Sequence, residues 1–251
     1  MDTFDALVAE AAAAPLDGWD FSWLAGRATE QRPSWGYARL MAARLAAARA
    51  ALDLQTGGGE VLDEAPALPP VMVATEAWPP NLAKAAALLR PRGVAVVRHG
   101  DPAPLPFTDG AFDLVTSRHP ATVPWAGIAR VLAPGGVYFA QHVGPASVFE
   151  LTEHFLGPQP EARALRDPAA EAAQARAAGL EVTGLRAERL RMEFADVGAI
   201  VYFLRLVVWI VPRFSPDVHR DRLRELHERI AGEGPFVAHS TRHLVEARKP
   251  G

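Results

Sequence analysis

The chain has no cysteine among its 251 residues. That absence removes disulfides, thiolate zinc sites and a thiol nucleophile together. Neither sign of charge dominates, with 26 Lys and Arg against 29 Asp and Glu for a net of -3. Binding to DNA or to an anionic membrane needs a basic field, which this balance does not provide, and RNA is disfavoured on the same ground. Long apolar runs are missing as well. The most apolar stretch, "VGAIVYFLRLVVWIVP" at 197–212, is interrupted by Arg205 and falls short of the about 20 residues of a membrane span. The amino terminus carries acids where an export signal carries bases, so a soluble, cytoplasmic protein is expected.

What the chain does have is alternation. Short apolar runs at Ala50 to Leu54, Pro70 to Thr75, Gly93 to Arg98, Ala111 to Ser117 and Gly136 to Val143 read as strands buried on both faces. Helical segments separate them: Pro79 to Arg90, opened by prolines, and Trp125 to Leu132, closed by "APGG". Repeated βαβ units predict a doubly wound, mostly parallel sheet with right-handed crossovers. In the last third, an alanine-rich helix at 169–178, the apolar 197–212 segment and an amphipathic helix precede an alternating run, His239 to Lys249, read as a final strand.

The segment "ALDLQTGGGE" at 51–60 carries the chemistry. A strand ending near an acid, then a glycine turn, then a helix start directs backbone N–H groups toward a ligand above the sheet. The dinucleotide fingerprint fails, because Gln55 and Glu60 stand where glycines belong and Glu60 would face a pyrophosphate. The phosphate-loop pattern fails for lack of Gly-Lys-Ser/Thr. An adenosyl ligand without phosphate meets neither objection, and Asp53 suits its cationic end.

On these residues the chain resembles the class I S-adenosylmethionine (SAM)-dependent methyltransferases of the small bacterial type. Asp53-Leu-Gln55-Thr56-Gly57-Gly-Gly59 is similar to that family's first motif, with Gln55 as a departure. "HGDPAPLPFTDGAFDLVTSRH" and "ARVLAPGGVYF" resemble its later segments. The resemblance implies a Rossmann-like fold of seven strands with an antiparallel last strand, and SAM as cofactor. It implies that the 53–59 loop wraps the methionine part of SAM. Glu76, about 20 residues past Asp53 as a ribose-binding acid should be, would hold the sugar hydroxyls. Asp101 and Pro102 would border the adenine, and Ser117, Arg118 and His119 would end the fourth strand beside the methyl group.

Methyl transfer is an in-line displacement, so alignment and exclusion of water do most of the catalysis, and a base serves only a nucleophile that must lose a proton. His119 and His142 are the candidate bases, at the carboxyl edge of the sheet. Loop-backbone hydrogen bonding is the plainer role for both. Trp35 and Tyr37 are candidates for a substrate lid, or else core, while Trp19 and Trp23 read as core. His227-Glu228 lacks the second histidine of a zinc helix, since position 231 is alanine, and no metal is expected. The expected plan is a helical cap over 1–49 and a SAM-binding domain over 50–251 with an apolar helical insertion near 195–235. The partner is a small-molecule methyl acceptor, and the apolar insertion is a substrate wall, plain core or a homodimer face. A non-catalytic SAM-fold protein, regulatory or assembling, is the alternative, with an RNA methyltransferase behind it.

Overall fold

The computed structural model describes residues 3–16, 18–100 and 103–251. The central strands are β2 (Ala50–Leu54), β3 (Val71–Glu76), β4 (Ala95–Arg98), β5 (Phe112–Arg118) and β6 (Leu132–Val143), where β1 (Ala28–Glu30) precedes them in the chain. β7 (Glu181–Phe194) and β8 (Phe236–Arg248) follow. Their order in the sheet is β1-β7-β8-β6-β5-β2-β3-β4. β2 pairs in parallel with both β3 and β5, β3 with β4, and β5 with β6, whereas β8 runs antiparallel to β6 and β1 antiparallel to β7. The chain therefore winds outward in one direction from β2 and in the other from β5. The crevice between these two strands is the topological switch point, the place where ligands bind in open α/β sheets.

Among the described residues the sheet has eight strands rather than the seven expected. The additional one, β1, is three residues long and so carries no period of its own. Its pairing with Met192 to Phe194 creates it. The segment before Ala50 is accordingly mixed: α1 (Phe4–Ala13), a 3-10 turn at Ser22–Leu24, β1 and α2 (Tyr37–Ala47). Further on, α3 (Glu60–Asp63), α4 (Pro79–Leu89) and α5 (Trp125–Val131) join the parallel strands, with prolines at the first turn of α4 as its opening signal predicts. β6 starts at Leu132, ahead of the glycines, because its register against β5 shifts between Phe112 and Leu114.

By contacts the chain forms two compact units. One comprises Pro33–Gly144, Arg166–Glu188 and Arg242–Gly251, and it contains the parallel strands and α8 (Pro168–Ala177). Its interior is two apolar clusters, one around Leu45, Leu89 and Phe139, the other around Leu52, Val115, Ile128 and Tyr138.

The other unit comprises Met1–Arg32, Pro145–Leu165 and Arg189–Thr241. It holds α6 (Phe149–Leu156), α7 (Pro160–Arg163), α9 (Val197–Leu206) and α10 (Arg220–Glu233). α9, the first part of the apolar 197–212 segment, lies in its core with nine of its ten residues buried, while Val208 and Trp209 beyond it are exposed. Arg205 is the exception that such a helix must accommodate. Its guanidinium donates to the Ala11 and Ala14 carbonyls at the end of α1, where carbonyls lack helical partners. Arg205→Met should therefore cost about 1–2 kcal/mol in chemical denaturation, although methionine fills similar space. Trp23 stacks on Tyr202 at 4.7 Å between ring centroids, but Trp19, expected in the core, stands 42% exposed with its ring edge against Trp209. The 3-10 turn sends Leu24 inward and leaves Trp19 with a surface neighbour.

Among the described residues no helix is long and apolar enough to cross a membrane.

Candidate functional site

The 53–59 loop lies at the switch point, where β2 ends. Asp53 is buried, and its Oδ1 accepts from the Thr116 hydroxyl on β5 at 2.6 Å. Burial pushes the Asp53 carboxyl up to about 6, against the lowering effect of that bond. The chain then turns under the carboxyl end of β3. Gln55 N–H donates to Thr75 Oγ1 at 3.2 Å, Thr56 N–H to Thr75 O at 2.9 Å, and Gly57 N–H to Glu76 Oε2 at 2.9 Å. Gly57 and Gly59 adopt positive φ, and a Cβ on Gly59 would come within 2.8 Å of Leu89. Glycine is thus required there both by φ and by the close approach of α4.

Gln55 adopts φ +54°, so the strain expected of a side chain at this position is present. Both ends of its amide are engaged: Oε1 accepts from Ala121 N–H at 2.7 Å and Nε2 donates to Thr122 O at 2.8 Å. The side chain therefore bridges from the loop after β2 to the loop after β5 and ties the two lips of the switch point together. Two bonds, each worth about 0.5–1.5 kcal/mol, offset the backbone strain. Stability should accordingly rank wild type first, Gln55→Gly close behind and Gln55→Ala lowest, the last by about 1–2 kcal/mol in urea titration.

Glu76 ends β3 nearly buried. Its Oε1 accepts from Ala77 N–H and Trp78 N–H at 2.9 and 2.8 Å, and its Oε2 from Gly57. A carboxylate offers about four acceptor directions, so three are used and one is left. Asp101 and Pro102 lie outside the described residues.

Ser117 and His119 stand at the end of β5, with Arg118 exposed between them. The Ser117 hydroxyl donates to Leu54 O at 2.9 Å, closing the β2 edge, and the Tyr37 hydroxyl donates to Ser117 O at 3.0 Å. Tyr37 also stacks on Phe139 at 5.4 Å, and Trp35 is buried with it in the same apolar cluster.

One polar chain orders this edge. Trp35 Nε1–H donates to Gln141 Oε1 at 2.7 Å, and Gln141 Nε2 lies 2.8 Å from His119 Nε2. An indole nitrogen only donates, so the amide orientation is fixed and its NH₂ group must donate to His119 Nε2. The His119 proton therefore resides on Nδ1. Burial, then Arg118 and Arg242, hold the imidazole well below its ordinary 6.5, so it is neutral at pH 7. His119 itself has φ +56°.

His142, one residue beyond Gln141, points to the opposite face of β6, as strand alternation requires. Both of its nitrogens are engaged: Nε2 with the Tyr138 hydroxyl at 2.9 Å and Nδ1 with Glu171 Oε2 at 2.6 Å. The sequence signal for Gln141 is a polar residue inside the apolar strand run "VYFAQHV", a pattern that marks a buried group with partners. Glu171 on α8 carries no comparable signal.

A switch-point glycine loop with an acid closing the next strand is the arrangement found at nucleoside-binding crevices of Rossmann-like sheets. Residues 52–140 match the family described as "Methyltransferase domain". This stretch is thus similar to a methyltransferase domain, a kind of domain whose cofactor is S-adenosylmethionine.

Solved structures similar in fold include a candidate methyltransferase of Bacillus halodurans, at 20% identity and TM-score 0.59 over 84% of this chain and 98% of that one. The YcgJ protein of Bacillus subtilis follows at 16% identity and TM-score 0.58, over 86% and 98%. The [4+2]-cyclase SpnF is similar at 20% identity and TM-score 0.53, over 97% and 91%. Comparison with curated proteins gives no match.

The residues of the loop fit an adenosyl donor. Glu76 closes β3 beside the loop, the glycines leave its backbone without side chains, and the Asp53 carboxyl lies buried beneath it.

Proposed function

We propose that the protein is an active SAM-dependent methyltransferase acting on a small molecule. The single observation that carries this reading is the Gly57 N–H donating to Glu76, so that the acid ending β3 and the glycine loop are built as one piece. SAM would supply an electrophilic methyl group. The 55–59 backbone would face its methionine part, Glu76 the ribose hydroxyls, and Asp53, ionised above about pH 6, would add negative charge near the cationic donor. Neutral His119, with its proton on Nδ1 and Nε2 held by Gln141, would orient the acceptor as a hydrogen-bond donor rather than remove its proton. His142 has both nitrogens committed and takes no part in this reading. The absence of a basic excess supports a small acceptor over RNA.

Gln55 favours a second reading, in which the bridged crevice no longer admits SAM and the fold serves another purpose. A cyclase on the same fold shows that methyl transfer does not follow from architecture. Calorimetry with SAM and its demethylated product separates the two. Micromolar binding to the wild type supports the enzyme. A silent wild type with a binding-competent Gln55→Gly variant supports the second reading, and silence in both removes SAM from either.

A further inference from the structure

Outside the switch point, His142 of β6, His243 of β8 and Glu171 of α8 bring three ligand atoms within 4.8 Å of one another. His142 and His243 are directly paired across the antiparallel strands, so their side chains share one face, and their rings lie 5.0 Å apart between centroids. Glu171 Oε2 lies 2.6 Å from His142 Nδ1 and 2.9 Å from His243 Nε2. Both histidines are fully buried, while Glu171 retains some exposure at the edge.

We infer that His142, Glu171 and His243 form a divalent transition-metal site, with zinc the metal their chemistry fits best. Two imidazole nitrogens and a carboxylate oxygen are the three protein ligands of an open zinc site, whose fourth position holds water. Zinc–ligand bonds of about 2.0–2.2 Å in a tetrahedron set neighbouring ligand atoms roughly 3.3 Å apart. The oxygen here sits slightly closer than that to both nitrogens, and Glu171, on the partly exposed helix, is the side chain free to draw back.

The proton arrangement is favourable. A carboxylate only accepts, so in the metal-free state His142 Nδ1 and His243 Nε2 each carry a proton. On metal binding each ring moves that proton to its far nitrogen, with no net loss. His142 Nε2–H then donates to the Tyr138 hydroxyl, which can reverse its role, an outer partner of the kind that orients metal-bound histidines. His243 Nδ1 has no hydrogen-bond partner to displace. Trp125 Nε1, in the ring cluster against His142, is likewise buried and unpartnered, so this corner has unused polar capacity that an all-protein network leaves unmet.

The consequence is structural. Only Ala172 and Ala175 of α8 are buried, a small apolar contact, and a metal held by Glu171 would clip this helix to the β6–β8 pair.

The test is cobalt substitution of the untagged full-length chain after removal of metal with a chelator. Expected are the intense visible absorption bands of four-coordinate Co2+ at about one equivalent, bleached by zinc, together with a zinc-dependent rise in melting temperature. Both should disappear in Glu171→Gln, whose partly exposed position preserves folding, and in His243→Asn. No bands and equal melting with zinc and with chelator would overturn the site in favour of a hydrogen-bonded triad. Bands that persist in the folded Glu171→Gln variant would overturn it in favour of binding elsewhere. SAM calorimetry does not enter either outcome, so the site stands or falls separately from the proposed activity.

Discussion

Replacing Asp53 by asparagine is expected to remove a pH dependence of stability worth about 3 kcal/mol. In the unfolded chain an aspartate titrates near 4, whereas burial raises Asp53 to about 6 in the fold. Below pH 4 both states are protonated and Asp53 is neutral in its effect. As pH rises from about 4 to about 6 the unfolded state releases its proton while the folded state retains it, so stability falls across that window and levels off above it. Two units at about 1.4 kcal/mol each give the magnitude. Asparagine keeps an acceptor oxygen for the Thr116 hydroxyl and does not titrate. The measurement is the difference in unfolding free energy between wild type and Asp53→Asn at pH 4.5, 5.5 and 7. Wild type should lose ground to the variant steadily from the first to the last. A difference that stays flat would mean that Asp53 is ionised throughout and that its burial is not felt.

Such a carboxyl is legible in sequence only by position. β2 is readable to the residue, because Ala50–Leu54 is an apolar run, interrupted only by Asp53, that ends at a glycine turn. β3, β5 and α4 followed within a residue or two for similar reasons. What one strand does in isolation is written locally, but partners are not. The bridge from Gln55 to residues 121–122 spans the crevice between non-consecutive strands, and nothing near Gln55 announces it. β1 exists only through Met192–Phe194. The aromatic residues Trp35 and Tyr37 read equally as lid or core from composition. Burial and the Phe139 stack place them in the core of their unit. His142, Glu171 and His243 stand far apart in the chain, and strand pairing brings them together with no spacing motif.

Glu76 should give the other large effect, and it is the residue at which structure and ligand binding can be pulled apart. Its carboxylate serves three backbone N–H groups, those of Gly57, Ala77 and Trp78. Glu76→Ala leaves all three without an acceptor at a nearly buried position, and hydrogen bonds to a charged group are worth about 1.5–3 kcal/mol each, though not additively. A stability loss of about 3 kcal/mol is expected in urea titration. Glu76→Gln retains one carbonyl oxygen, enough for the Ala77–Trp78 pair, but turns an NH₂ group toward Gly57 N–H, so about half of that loss should remain. SAM affinity, measured calorimetrically well below the melting transition, should fall by about 10- to 100-fold in both variants, because neither presents the anionic acceptor left for a sugar hydroxyl. If affinity instead follows stability, with Glu76→Gln binding almost as the wild type does, Glu76 is a brace for the glycine loop and the sugar is held elsewhere. If both variants bind weakly while Glu76→Gln remains well folded, the carboxylate holds the loop and the ligand at once, and its fourth acceptor direction is the one that meets the ribose.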